Sequence, residues 1–183
     1  MNKRKEKQRG LTFVYTGDGK GKTTSAIGLA LRAIGRGLNV KIYQFIKSPE
    51  RTYGEKIAMK KLGIDIIQLG IGFTWTKTPE EHRDALKKGW PLAREAVMSG
   101  EYELVILDEL NNALAINQFP IDDVLPLQEV VDLIKNKPPH VHLVITGRDA
   151  NEKIKELADL VSVIEPEKHY YDEGIPAVKG IEY

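Results

Sequence analysis

Short apolar segments alternate with longer amphipathic ones along most of the chain. Apolar runs predict six strands, at 11–15, 40–45, 64–69, 104–107, 141–145 and 161–164. Helical periodicity with start and stop signals predicts helices at 22–34, 53–62, 78–98, 126–135 and 149–158. Strands joined by helical crossovers are typical of a parallel sheet covered on both faces. The sequence therefore predicts an α/β fold with a doubly wound, mainly parallel six-stranded sheet of the P-loop nucleotide-binding type.

Four local signals make specific structural predictions. Residues 78–81, Thr-Pro-Glu-Glu, combine a capping box with proline at the first helical position. Pro91 is expected to kink or split the helix that begins there. Residues 149–152 predict a second capping box. The run 104–107 has no polar face, so we expect it to be buried on both sides.

The composition is that of an ordinary globular protein. The 183 residues carry 29% charged side chains and a formal net charge of +1, which fits a single domain over 10–183 after a basic tail over 1–9. No apolar run approaches the roughly 18 residues that a membrane span needs, and we expect neither a membrane nor a nucleic acid as a partner. Cysteine is absent, which excludes disulfides, thiolate metal sites and cysteine-held iron–sulfur clusters and fits a cytoplasmic protein.

A glycine-rich loop carries the clearest chemical signal. Residues 17–24 are Gly17, Asp18, Gly19, Lys20, Gly21, Lys22, Thr23 and Thr24, between a predicted strand and a predicted helix. Three glycines allow positive φ angles and a close approach to an anion, so that backbone N–H groups and the helix N-terminus point at phosphate oxygens. Lys22 would add a positive charge, and the Thr23 hydroxyl is a candidate Mg²⁺ ligand. These features predict a nucleoside triphosphate site.

The loop departs from the usual phosphate-loop pattern. Thr16 occupies the place of the first glycine if the count starts from Gly21, whereas a count from Gly17 leaves the loop one residue short. Both alignments predict a phosphate cradle of unusual shape. Ordinary hydrolysis at the terminal phosphate is therefore less favoured.

Asp108 and Glu109 follow the buried run 104–107 directly. In phosphate-loop proteins an acid at this place holds Mg²⁺, directly or through water. The two side chains point to opposite sides of an extended strand, so one should face the metal, and the sequence leaves open which. The alternative is that the pair only caps the helix that follows.

Two further segments are expected at the carboxyl edge of the sheet. Phe73 and Trp75 lie in a glycine-containing loop, where they either belong to the core or form a platform for a flat or apolar ligand. Arg148 either reaches a phosphate or forms a salt bridge with Asp149 or Glu152.

Together these residues resemble the phosphate-loop type of cob(I)alamin (corrinoid) adenosyltransferase. The resemblance spans essentially residues 10–183. It rests on an ordered set of segments: 17–24, 32–37, 44–47, 72–75, 107–111, 146–148, 158–161, 168–169, Gly174 and 180–183. The N-terminus is short, with nine residues before Gly10, which departs from family members in which a longer segment covers the site.

The resemblance implies an unusual reaction, in which the cobalt of a reduced corrinoid attacks the 5′ carbon of ATP and expels triphosphate. ATP and the corrinoid are then substrates, and Mg²⁺ is the metal. Lys20, Lys22, Thr23 and Glu109 are implied as catalytic, and Arg32 and Arg148 join the loop in nucleotide binding.

The resemblance also implies roles outside the phosphate site. Phe73 and Trp75 would pack on the lower face of the corrin ring and exclude an axial ligand from cobalt. Electrons would come from a separate donor, a reduced flavoprotein, and the protein would be a homodimer. The alternatives from the residues alone are a P-loop ATPase or kinase, with Glu109 positioning water or an acceptor, and a non-catalytic, nucleotide-dependent corrinoid-binding protein.

Overall fold

The computed structural model describes residues 9–72 and 77–183. The strands are β1 (Thr12–Thr16), β2 (Val40–Gln44), β3 (Ile66–Gln68), β4 (Leu104–Asp108), β5 (His142–Thr146) and β6 (Leu160–Val163). The helices are α1 (Lys22–Ile34), α2 (Gly54–Lys61), α3 (Pro79–Ser99), α4 (Leu110–Leu114), α5 (Leu127–Asn136) and α6 (Glu152–Leu157), followed by a 3₁₀ turn at Tyr170–Glu173. All six predicted strands and all five predicted helices are present with small shifts at their ends, and α4 was not predicted.

The strands form one sheet in the order β3-β2-β4-β5-β1-β6. Every strand pair is parallel, which confirms the predicted α/β fold and makes the sheet entirely rather than mainly parallel. The carboxyl ends of all six strands therefore meet at one edge. Loops that follow the strands converge there, as expected for ligand sites in open α/β sheets.

Hydrophobic layers cover both faces of the sheet. On one face α1 and α2 pack closely, and α1 contributes the small side chains Ala26 and Ala30. On the other face α3 and α5 contribute larger side chains such as Trp90 and Leu133. All five residues of β4 are buried, as the absence of a polar face predicted. Each fully buried Leu, Ile or Val contributes about 1.5–3 kcal/mol, so the central strand fixes the position of the loop that follows it.

Two predictions about helix ends have different outcomes. The capping box at α3 is confirmed, since the Thr78 hydroxyl accepts a bond from Glu81 N (3.3 Å) and the Glu81 carboxylate accepts one from Thr78 N (2.9 Å). The capping box at 149–152 is wrong, because the residue that caps α6 is Asn151, whose side chain accepts from Lys153 N. Asp149 instead adopts a left-handed conformation with φ of 52°, which takes it out of the cap.

Pro91 lies inside α3 and does not split it, since a single helix runs over all 21 residues. Pro91 is exposed, while its neighbours Trp90 and Ala93 are buried. Trp90 also donates a hydrogen bond to Glu129 on α5 (2.6 Å). Packing on the inner face therefore offsets the backbone bond that proline removes on the outer face. Among the described residues, no helix has the length and hydrophobicity to cross a membrane.

Candidate functional site

A cavity of about 740 Å³ opens at the carboxyl edge of the sheet, a size typical of small-molecule sites. Five parts of the chain line it: the glycine-rich loop, the segment from β2 to the start of α2, the described ends of the loop after β3, the turns after β4 and β5, and the C-terminal residues. Of the predicted site residues, the cavity lining includes Asp18, Gly19, Lys20, Gly21, Lys22, Thr23, Thr24, Glu109 and Arg148. The structure thus brings together most of the groups that the sequence singled out.

The three loop glycines serve different geometric needs. Gly17 and Gly21 have positive φ angles of 96° and 124°, as predicted. Gly19 does not, which corrects the expectation that all three would. A Cβ atom at Gly19 would lie 2.8 Å from the carbonyl oxygen of Ile164, and Gly19 N donates a hydrogen bond to that oxygen (2.7 Å). Gly19 is therefore needed because the loop packs against the backbone that leaves β6.

Lys22, the first residue of α1, folds back over the loop. Its ammonium group donates to the carbonyl oxygens of Gly17 (2.6 Å) and Gly19 (2.7 Å). Burial and the nearby charge of Arg148 lower the pKa of Lys22. The loop therefore holds a partly desolvated cation at the N-terminus of α1, an arrangement suited to an anionic ligand.

Asp108, at the end of β4, is buried and accepts three side-chain hydrogen bonds. It is 1% exposed. Its Oδ1 accepts bonds from the hydroxyls of Thr23 (2.9 Å) and Thr146 (2.7 Å). Its Oδ2 accepts from Gln44 (3.0 Å) and lies 3.6 Å from the ammonium of Lys47. Both oxygens are already engaged by protein groups, so Asp108 fixes the position of the Thr23 hydroxyl.

Glu109 is placed differently from its neighbour. Its backbone is left-handed, with φ of 61°, which turns the chain into α4. The Oε2 atom is shielded from solvent and has no hydrogen-bond partner in the protein. Burial and the negative charge of Asp108 raise the pKa of Glu109 to about 7. A buried carboxylate without a partner is poorly satisfied unless a cation or a proton joins it.

The donor set near Glu109 fits a hard cation that is also bound by phosphate. The Thr23 hydroxyl and the Glu109 carboxylate are oxygen ligands of the kind that Mg²⁺ prefers. Within 9–72 and 77–183, no three His, Asp or Glu side chains form a metal cluster. A metal here would therefore depend on phosphate oxygens and water for most of its coordination sphere.

Arg148 reaches the loop, although its partner differs from those considered above. Its Nε atom lies 3.5 Å from Asp18, whereas Glu152 pairs with Lys155 (2.5 Å). Arg32 lies elsewhere: it is exposed in the last turn of α1, about 15 Å along the helix from Lys22. The structure does not bring Arg32 into the cavity.

Phe73 and Trp75 lie outside the described residues. Their described neighbours Ile71, Gly72 and Lys77 all line the cavity. Both ends of this loop therefore meet the same space as the glycine-rich loop.

The sequence analysis predicted no site role for Lys47, a charged residue that also lines the cavity. Lys47 pairs with Glu55 (2.6 Å) and lies 4.9 Å above the ring of Tyr53. Burial alone would lower the pKa of Lys47, but the negative charges of Asp108 and Glu55 outweigh it and raise the pKa. The available signal was that Lys47 follows β2 directly, at the edge where ligands bind. The C-terminal residues 177 and 180–183 also line the cavity; residues 180–183 belong to the resemblance, but no site role was predicted for them.

Comparisons with known proteins agree with this geometry. Residues 8–183 match the family model described as ATP:corrinoid adenosyltransferase BtuR/CobO/CobP. A corrinoid adenosyltransferase of Escherichia coli strain K12 is 39% identical, with 96% of this chain and 87% of that protein covered. The corrinoid adenosyltransferase CobA of Salmonella typhimurium strain LT2 is 38% identical, with 97% and 88% covered.

A solved structure supports the fold independently. The KaiC-like protein of Pyrococcus horikoshii OT3 superposes with a TM-score of 0.55 at 18% identity, covering 88% of this chain and 75% of that one. This likeness concerns the fold alone. The family model and the curated relatives cover nearly the whole chain, and they show that the chain belongs to the ATP:corrinoid adenosyltransferase BtuR/CobO/CobP family.

Proposed function

We propose that this protein transfers the adenosyl group of ATP to the cobalt of a reduced corrinoid. Cobalt in the cob(I) state donates its electron pair to the 5′ carbon of ATP and forms a cobalt–carbon bond. The bond between the 5′ carbon and its oxygen breaks, and triphosphate leaves with that electron pair. The names of the family and of the curated relatives support this reaction.

The observation that carries the proposal is the concentration of anion-binding groups at one end of the cavity. Lys20, Lys22 and Arg148 line the cavity there, beside the N-terminus of α1. In this reaction the negative charge grows on the departing triphosphate, so these groups stabilise the leaving group. Because the nucleophile is cobalt, the protein needs no general base.

We propose that Thr23 and Glu109 hold Mg²⁺ while Asp108 acts through Thr23. The Thr23 hydroxyl and the unpartnered Glu109 Oε2 supply hard oxygen ligands. Asp108 accepts a hydrogen bond from the Thr23 hydroxyl and so orients its oxygen lone pairs, a role that usually accompanies metal ligands. When bound, the metal supplies charge neutralisation to the triphosphate. Lys20 and Arg148 would add positive charge around the same group, whereas Arg32, which the resemblance implies in nucleotide binding, does not line the cavity.

The loop that carries Phe73 and Trp75 is proposed as the corrinoid platform. Support comes from the resemblance and from the position of its described ends at the cavity. If the two rings exclude an axial ligand, Trp75→Ala should slow the reaction from cob(II) with a mild reductant more than the reaction from chemically reduced cob(I). An equal loss from both states would indicate simple ring binding instead.

The proposal also covers the electron donor, the oligomeric state, the location in the cell and the domain boundaries. The chain has no cysteine, so electrons are proposed to come from an external donor, a reduced flavoprotein. The protein is proposed to be a cytoplasmic homodimer in which residues 10–183 form one catalytic domain and residues 1–9 a basic tail. The continuous six-stranded sheet and the family match over residues 8–183 support that division.

The test is to follow the cobalt–carbon bond directly. The protein is incubated with Mg²⁺, ATP and chemically reduced cob(I)alamin, and the light-sensitive absorbance of the alkylated corrinoid is recorded. The proposal predicts repeated turnover in excess substrate. Tight binding of both substrates without a light-sensitive product would instead favour a corrinoid-binding protein that is not an enzyme.

A further inference from the structure

The C-terminal residues 177–183, here called the C-terminal strap, close one side of the cavity. Hydrogen bonds from Ile181 N (3.0 Å) and Glu182 N (2.8 Å) to the carbonyl of Val178 fold the strap into a compact turn, which Gly180 N closes by donating to Tyr183 O (2.7 Å). The strap also reaches α2, because a Cβ atom at Gly54 would lie 4.0 Å from the carbonyl carbon of Tyr183. It therefore spans from the glycine-rich loop to the start of α2.

An ion pair fastens the strap to the glycine-rich loop. The carboxylate of Glu182 lies 2.9 Å from the ammonium of Lys20, with the two side chains 27% and 35% exposed. The turn directs Glu182 inward, whereas Ile181 and Tyr183 remain exposed. The partner of Lys20 is thus an anion that belongs to the protein.

The two lysines of the loop are held in different ways. Lys22 donates to neutral carbonyl oxygens, so an incoming phosphate displaces no carboxylate from it. Lys20 already holds a carboxylate. A triphosphate that binds Lys20 brings a second anion to the ammonium group that Glu182 already contacts, and the two anions repel each other. A pair this exposed is weak enough to exchange rather than to lock the site.

We propose that Glu182 competes with triphosphate for Lys20, so that the C-terminal strap opens when the anion binds and promotes its release after the reaction. This inference rests on the proposed function for the identity of the anion as a leaving triphosphate. Glu182 does not contact the reacting atoms; it is a positioning residue that acts through Lys20. By competing for Lys20, Glu182 lowers the affinity of the protein for the triphosphate product.

The first experiment measures binding of inorganic tripolyphosphate with Mg²⁺ by calorimetry, in the absence of a corrinoid. Glu182→Gln should bind about twofold to fivefold more tightly than the wild type, the range expected for loss of a competing ion pair of this exposure. Glu173→Gln is the matched control. It removes the same charge from the same region, but its partner is Lys168 (2.7 Å), so its affinity should equal that of the wild type.

A double-mutant comparison tests whether Glu182 acts through Lys20. In a Lys20→Met background, adding Glu182→Gln should change the affinity for tripolyphosphate by less than about 1.5-fold. If the tightening persists without Lys20, or if Glu182→Gln binds as the wild type does or more weakly, the inference is wrong.

Amide hydrogen exchange measures whether the C-terminal strap opens. The amides of Ile181 and Glu182, which are bonded to Val178, should exchange faster when tripolyphosphate is bound. They should also exchange faster in Lys20→Met without any ligand. Slower exchange with ligand would mean that the strap closes over the anion, which contradicts the proposal.

These readouts separate the inference from the proposed reaction. Tighter tripolyphosphate binding by Glu182→Gln together with no adenosyl transfer by the wild type would refute the reaction alone. Adenosyl transfer with unchanged tripolyphosphate binding would refute the role of Glu182 alone.

Discussion

Replacing Glu109 by glutamine should change how the stability of the metal-free protein depends on pH. In the folded protein, burial and the charge of Asp108 raise the pKa of Glu109 to about 7 from an ordinary value of 4.5. The folded state therefore keeps a proton that the unfolded chain has already lost at neutral pH. Stability from this group is fully present below about pH 4.5 and is lost as the pH rises through 7.

The magnitude follows from the two pKa values. The difference between 4.5 and about 7 corresponds to on the order of 3 kcal/mol once the pH is above both values. Between pH 5 and pH 8 the wild type should lose about 2–3 kcal/mol that Glu109→Gln retains. Glutamine adds a buried N–H₂ group of its own, which shifts the free energy of unfolding by a constant amount. The informative quantity is therefore the difference in pH dependence.

The assay is urea unfolding of both proteins in EDTA at half-unit pH intervals from 5 to 8. The free energy of unfolding of Glu109→Gln minus that of the wild type should rise steadily with pH. Adding Mg²⁺ and tripolyphosphate at pH 8 should stabilise the wild type more than the variant, because only the carboxylate ligates the metal. A flat difference across the range would refute the reasoning, since Glu109 would then ionise as freely in the folded protein as in the unfolded chain.

Substitutions at three further positions test the glycine-rich loop. Lys22→Ala should lower the rate of adenosyl transfer by about 10²–10³, the usual effect of removing one donor to a developing anion, and a rate within threefold of the wild type would contradict its role. Thr23→Ser should keep most activity and Mg²⁺ dependence while Thr23→Val loses both, so equal rates in the two variants would remove Thr23 from the metal site. Gly19→Ala should cost about 1–3 kcal/mol in thermal or urea unfolding and weaken ATP binding, because its Cβ would lie 2.8 Å from Ile164 O. Unchanged stability would show that the loop does not depend on this contact.

The sequence predicted the sheet well because the relevant signals are local. The apolar segments at β1 to β6 and the capping box of α3 each depend on a few neighbouring residues. In a parallel sheet, predicting the strands also predicts which loops share an edge. This is why Lys22, Thr23, Glu109 and Arg148 could be expected in one cavity before their positions were known.

The features that were missed or wrong depend on contacts between distant parts of the chain, or on elements too short to show a period. The five residues of α4 span little more than one turn and begin at a left-handed Glu109, which no periodic pattern reveals. Glycine is needed at position 19 because the loop packs against Ile164, and Lys20 forms its ion pair with Glu182. Such pairings arise only when β6 and the C-terminal strap pack beside the loop.

Asp108 and Glu109 show how the structure resolves an ambiguity that the sequence leaves open. Adjacent acids after a strand look equivalent in the sequence. In the structure, Asp108 is saturated by protein donors, whereas Glu109 has a buried oxygen without a partner. The distinction comes from Gln44, Thr23 and Thr146, which belong to three other elements.

If the loop stabilises a departing triphosphate, the phosphate product of the reaction must be triphosphate. ATP labelled with ³²P at the terminal phosphate is converted with chemically reduced cob(I)alamin, and the labelled products are separated and counted against the alkylated corrinoid formed. We expect one intact triphosphate for each cobalt–carbon bond, with neither product formed when the corrinoid is omitted. Release of labelled orthophosphate without a cobalt–carbon bond, or transfer of the label to an acceptor, would show an ATPase or kinase and would refute adenosyl transfer.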